Sequence, residues 1–137
     1  MKVISSRRDL DDACSQVRAL VFLWVDWSIE ARHSEHALTD LLQSWARAFP
    51  DRPIPVYRAD LSGQIGEIWD AIREWLRAEG QDADGLTLSG NGALLWLRQR
   101  KVAAAVGHLA AVDHEQRLAI CRRVWQQEPF ESNVSGF

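Results

Sequence analysis

Residues 20–32 read Leu20-Val21-Phe22-Leu23-Trp24-Val25-Asp26-Trp27-Ser28-Ile29-Glu30-Ala31-Arg32. The first six are apolar without alternation, the pattern of a strand buried on both faces of a central sheet. Asp26 and Trp27 end the run, and Ser28 is a preferred helix N-cap, its oxygen accepting a backbone N–H one turn on. Over residues 29–49, Leu38, Leu41, Leu42, Trp45, Ala46 and Phe49 fall on a single helical stripe. Pro50 and Pro53 end that helix. A buried strand feeding a long amphipathic helix is the first half of a parallel crossover.

Upstream, Val3 and Ile4 read as a short strand. Ser6 caps a helix with Asp9 at its third position, a carboxylate variant of the capping box. That helix is expected to reach Val17 and to turn Leu10, Cys14 and Val17 inward. Downstream, Ile54 to Asp60 is a second central strand, with Ile54, Val56 and Tyr57 apolar. A third helix over 64–78 places Ile65, Ile68, Trp69, Ile72 and Leu76 on its buried stripe, and Gly80 stops it. Residues 80–92 hold four glycines and read as an exposed loop. The apolar runs 93–97 and 102–106 flank Arg98-Gln99-Arg100-Lys101 and form an antiparallel hairpin. A last helix runs from Val112 or Asp113 to Gln127, with His114, Leu118, Cys121 and Trp125 on one face. The order β-α-β-α-β-α-β-β-α predicts an α/β fold with a mixed central sheet and helices on both faces.

The 137 residues suit one domain, expected over 1–127, with 128–137 as a flexible tail. A net charge of −3 offers no electrostatic footprint for nucleic acid. No apolar run approaches the roughly 20 residues that span a bilayer. The start of the chain lacks a signal-peptide pattern, so the expected location is cytoplasmic. Cys14 and Cys121 are too far apart for a metal knuckle or redox motif and read as small buried hydrophobes. Of seven tryptophans, Trp24, Trp45, Trp69, Trp96 and Trp125 sit at core-like positions, and Trp27 is the exception.

Trp24-Val25-Asp26-Trp27 resembles the Trp-Ala-x-Trp that precedes Cys-x-x-Cys in the thioredoxin family. Leu94-Leu95-Trp96-Leu97, a polar tip and Lys101-Val102 resemble that family's final hairpin. Val106-Gly107-His108-Leu109 resembles its Val-Gly-x-Leu before the last helix. The resemblance covers residues 2–127 and implies a thioredoxin-like fold. The departures bear on activity: Ser28 and Ala31 stand at the two cysteine positions, Gly92 at the cis-proline, and Phe22 at a buried aspartate. Exchange needs two sulfurs close enough to bond, one as thiolate, so the resemblance implies a redox-inactive member. It also places the first and last helices on opposite faces, which keeps Cys14 and Cys121 apart and reduced.

What the resemblance leaves is the groove that holds peptides in the family, with Trp27, Ser28, Ile29, Glu30, Asn91, Gly92, Gly107 and His108 as its rim. An exposed tryptophan supplies apolar area and a donor to an interface. Backbone near Gly92 is a place where an extended peptide could pair. The leading expectation is a non-catalytic module that binds a protein or peptide, as an accessory or chaperone-like factor; set against it, Trp27 packs over its own loop and the groove is vestigial. A degenerate oxidoreductase, an enzyme built on Ser28 with His108 and Asp26, and a dimerising scaffold are the alternatives. No nucleophile-elbow sequence surrounds Ser28. His36 and Asp40 share a helix face while His33 points elsewhere, too few ligands for a structural zinc, so neither metal nor cofactor is expected. Glu30 competes with any anion at the helix start. Arg98, Arg100 and Lys101 read as a soluble turn that blunts a sheet edge.

Overall fold

The computed structural model describes residues 1–125, so the expected tail lies outside the described residues. Five strands form one sheet: β1 (Lys2–Val3), β2 (Arg18–Trp24), β3 (Val56–Asp60), β4 (Ala93–Arg98) and β5 (Lys101–Val106), in the order β1-β3-β2-β4-β5. β1, β3 and β2 run parallel, and β4 and β5 are added antiparallel. The helices are α1 (Arg7–Ser15), α2 (Ile29–Ala48), α3 (Glu67–Ala78), α4 (Ala83–Leu88) and α5 (His114–Trp125), with a single 3-10 turn at Leu109–Ala111. The mixed-sheet α/β expectation holds, with one helix more than expected.

β2 is central, and Ala19 to Leu23 are all buried. Alternation along it feeds two cores. Val21 and Leu23 join Leu10, Tyr57, Ala59, Ile72, Leu76 and Leu86 on the side of α1, α3 and α4. Leu20 and Phe22 join Leu38, Leu41, Trp45, Trp96, Cys121 and Trp125 on the side of α2 and α5. Each fully buried leucine contributes about 1.5–3 kcal/mol. Cys14 and Cys121 therefore lie on opposite faces of the sheet, both as free thiols.

The caps follow the sequence. Ser6 Oγ accepts from Asp9 N at 3.3 Å, and the Asp9 carboxylate accepts Ser5 N at 2.8 Å. The hairpin turns at Gln99 and Arg100, both with positive φ (51° and 71°), the twist that tight hairpins require.

Several expectations are corrected. β1 begins one residue earlier than expected and omits Ile4, which is buried but not in a strand. α1 stops at Ser15 because Gln16 turns to extended backbone, so Val17 is exposed and Cys14 only half-buried. β3 starts at Val56; Ile54 packs on the second core from outside the strand. α3 starts at Glu67, because Gly66 at φ +104° breaks any earlier turn. That leaves Ile65 at 84% exposure rather than on the buried stripe. Residues 80–92 are not all loop: Asp82 caps α4 by accepting Gly85 N, and Ala83, Leu86 and Thr87 are buried. Trp24 and Trp69 are half-buried, as are His114 and Leu118, while Ala46 of the expected α2 stripe is exposed.

Candidate functional site

The carboxyl ends of the parallel strands β2 and β3 meet at one corner, tied by Leu61 N donating to Trp24 O at 2.8 Å. Ser62 organises it. Its Oγ accepts Asp26 N at 2.8 Å, its carbonyl accepts Trp27 Nε1 at 3.2 Å, and Asp60 accepts its backbone N–H at 2.9 Å. The Trp27 indole lies on Gly90: a Cβ built there would fall 2.4 Å from the ring. Trp27 nevertheless remains 55% exposed. It rests on a neighbouring loop and still presents a face.

Ser28 Oγ accepts Ala31 N at 3.3 Å and so serves as the α2 cap. Ile29 is exposed. Glu30 reaches across to His108, with Oε2 2.9 Å from Nε2, and its other oxygen lies 3.9 Å from His33 Nδ1. His108 thus engages Glu30, while Asp26 uses its backbone N–H on Ser62. These bonds do not chain Ser28, His108 and Asp26 into a relay. Among the described residues no group of three or more His, Cys, Asp or Glu could hold a metal ion, and His36 and Asp40 are both exposed.

Gly92 is buried against α2. Its φ is +82°, and a Cβ there would lie 2.4 Å from Ser34 Cβ and 3.3 Å from Ala31 Cα. Ser34, buried, is the fastener: its Oγ donates to Asn91 O at 2.8 Å and accepts Ala110 N at 3.0 Å. Gly92 O accepts Leu109 N at 3.1 Å. The carbonyls of Asn91 and Gly92, where an extended peptide was expected to pair, are thus bonded within the chain. Gly107 is half-buried beside His108. The corner brings Trp27 to Glu30 together with 90–92 and 107–108, but Asn91 and Gly92 form its floor rather than an open edge.

Sequence reasoning missed Ser34, Ser62, Gly90, Ile65 and Leu88. Ser34 carried a signal: it sits three residues after Ala31 and three before Ala37, inside the buried face of α2. A polar residue at such a position has its hydrogen bonds inside the fold.

Neither thiol belongs to the corner. Burial pushes Cys14 up to about 11 and Cys121 likewise to about 11. Trp96 Nε1 lies 3.3 Å from Cys121 Sγ. A cleft of about 390 Å³, lined by Trp45, Phe49, Pro53 and Ile54, lies at the opposite end of β3.

This strand order, with its corner beyond β2, is the thioredoxin-like fold. Fasciola hepatica thioredoxin superposes with a TM-score of 0.55 and 12% identity, over 90% of this chain and 99% of that one. Arabidopsis thaliana thioredoxin O2 gives 0.55 and 14% over 90% and 93%. Chlamydomonas reinhardtii thioredoxin f2 gives 0.56 and 10% over 94% and 97%. No family model and no curated protein matches the sequence. At these identities the likeness defines the fold alone.

Proposed function

We propose that this chain is a thioredoxin-like protein without thiol–disulfide exchange, which binds a protein or peptide at the Trp27 corner. One observation carries the reading. Among the described residues, the exposed large apolar side chains are Met1, Val3, Val17, Trp27, Ile29, Ile65 and Leu88. The last four lie on the loops and helix ends that adjoin Trp27: Ile29 opens α2, Leu88 ends α4, and Trp27 and Ile65 are in loops. Ile65 follows Ser62, which binds the indole, and Leu88 precedes Gly90, on which the indole rests. Clustered exposed apolar side chains mark interaction surfaces, and aromatic anchors dominate their energetics. Because the Asn91 and Gly92 carbonyls are already bonded, recognition here works through side chains rather than strand pairing.

The absence of exchange rests on Ser28 and Ala31 at the corner and on two separated thiols of raised pKa. No helix among the described residues is long and apolar enough to cross a membrane. Two unpaired thiols suit a reducing compartment, and we take the cytoplasm as the setting.

Insulin reduction with dithiothreitol tests the first half: the rate is expected to equal the uncatalysed background, and turnover above it refutes the reading. Capture from the source cell's lysate tests the second, with wild type and Trp27→Ser compared after circular dichroism shows both folded. The expected partner is retained by wild type alone and slows hydrogen exchange in residues 26–30 and 61–66. A partner held equally by both proteins places recognition on another face.

A further inference from the structure

The loops and helix ends that carry the exposed apolar residues at the corner also carry charge of one sign. Residues 26–30, 60–67, 88–92 and 107–108 contain Asp26, Glu30, Asp60 and Glu67, with no lysine or arginine. The rest of the chain is close to neutral by comparison. Asp26, Asp60 and Glu67 are exposed. Of the arginines on adjoining elements, Arg58 lies over the Trp24 ring, 3.5 Å from Glu35, and the Arg7 guanidinium pairs with Glu74 at 3.0 Å, while the Arg7 backbone N–H donates to Glu67 Oε1 at 3.4 Å and leaves the second Glu67 oxygen to the surface. Arg73 is bound to Asp84 and Thr87. Arg32, exposed early in α2, offsets one of the four charges.

An apolar patch carried on segments of net negative charge discriminates among partners. A neutral apolar segment desolvates those carboxylates without a hydrogen bond in return, and an acidic segment is repelled. Lysine and arginine satisfy both demands, because their stems lie on apolar surface while their charged heads reach the rim. Resting on the reading of the corner as a docking surface, we infer that its partner is a protein segment that combines large apolar side chains with flanking Lys or Arg. Contact is made by side chains on Trp27, Ile29, Ile65 and Leu88, with Asp26 and Glu67 facing the cations.

Three labelled synthetic peptides test this. They share the same leucine and tryptophan positions and carry Lys/Arg, Gln or Glu at the others. Fluorescence anisotropy follows binding to the intact protein, to Asp26→Asn with Glu67→Gln, and to Trp27→Ser. Measurements at about 50 and about 300 mM salt straddle the change from weak to strong screening. The basic peptide is expected to bind tightest, to lose about two- to fivefold in affinity per neutralised carboxylate, and to lose its advantage in salt. It is also expected to fail on Trp27→Ser. Equal binding of the three peptides, all dependent on Trp27, overturns the charge inference and leaves the docking surface standing. Binding of the basic peptide that ignores Trp27→Ser overturns both, as does the absence of binding by any peptide.

Discussion

Replacing Gly92 by alanine tests how tightly the corner is fastened to α2. The residue holds φ at +82°, where an L side chain costs about 1–2 kcal/mol. The added Cβ would sit 2.4 Å from Ser34 Cβ, against an ordinary carbon contact of about 3.5–4 Å, so the loop must lift by roughly an ångström. Lifting strains two bonds, Ser34 Oγ to Asn91 O and Leu109 N to Gly92 O, each worth about 0.5–1.5 kcal/mol net. The expected loss is about 3 kcal/mol, a large share of the ~5–15 kcal/mol that holds a domain of this size. Equilibrium unfolding in urea, followed by far-ultraviolet circular dichroism, should show the midpoint lowered by about 1–2 M. Ser34→Gly removes the colliding Cβ at its own cost, a helical glycine and two lost hydrogen bonds. In the double variant the collision is gone, so the two costs should combine to about 1–2 kcal/mol less than their sum. A Gly92→Ala protein within about 0.5 kcal/mol of wild type, or strict additivity in the cycle, would refute the fastening.

The thiols give a second expectation. At about 11, each is roughly one part in a thousand thiolate at pH 8, so a disulfide reagent should modify the native protein slowly and reach both cysteines only on unfolding. Because the folded values lie above the ordinary 9.0, the stability linked to them is complete below about pH 9 and is lost as pH rises through 11. Melting temperature should fall across that window, and Cys14→Ala should flatten the fall. Ile65→Ser should leave unfolding within about 0.5 kcal/mol of wild type yet weaken capture of the basic peptide, whereas Leu38→Ala, at a fully buried position, should cost about 2–5 kcal/mol.

The elements with strong local signals were legible. The unbroken run of β2 and the paired runs of β4 and β5 announce buried strands, and the Ser6 and Ser28 caps are where their side chains predict. α4 escaped because its six residues hold Gly85, and the glycines around it speak for loop. Its Asp82 cap and the spacing of Ala83, Leu86 and Thr87 were the competing signal. Ile65 misled because it falls three residues before Ile68, on helical spacing, while the φ of Gly66 is invisible in sequence. At the corner, Trp27 stands out by composition and position. The pairing of Glu30 with His108 spans 78 residues, and the grip of Ser34 on Asn91 spans 57. Such contacts are set by the packing of α2 against the loops before β4 and after β5, which no local pattern encodes.

The seating of Trp27 also makes the protein its own optical probe. Trp45, Trp96 and Trp125 are buried and Trp24, Trp69 and Trp75 half-buried, so a collisional quencher in solution meets Trp27 first. The most accessible part of the emission therefore reports chiefly on one indole, and a segment settling on the corner would shield it without any label. The ionic surroundings leave a mark on the same signal. Near Asp26 and Asp60, caesium ions accumulate and iodide ions are thinned out, so relative to neutral acrylamide the cation should quench that emission better than the anion.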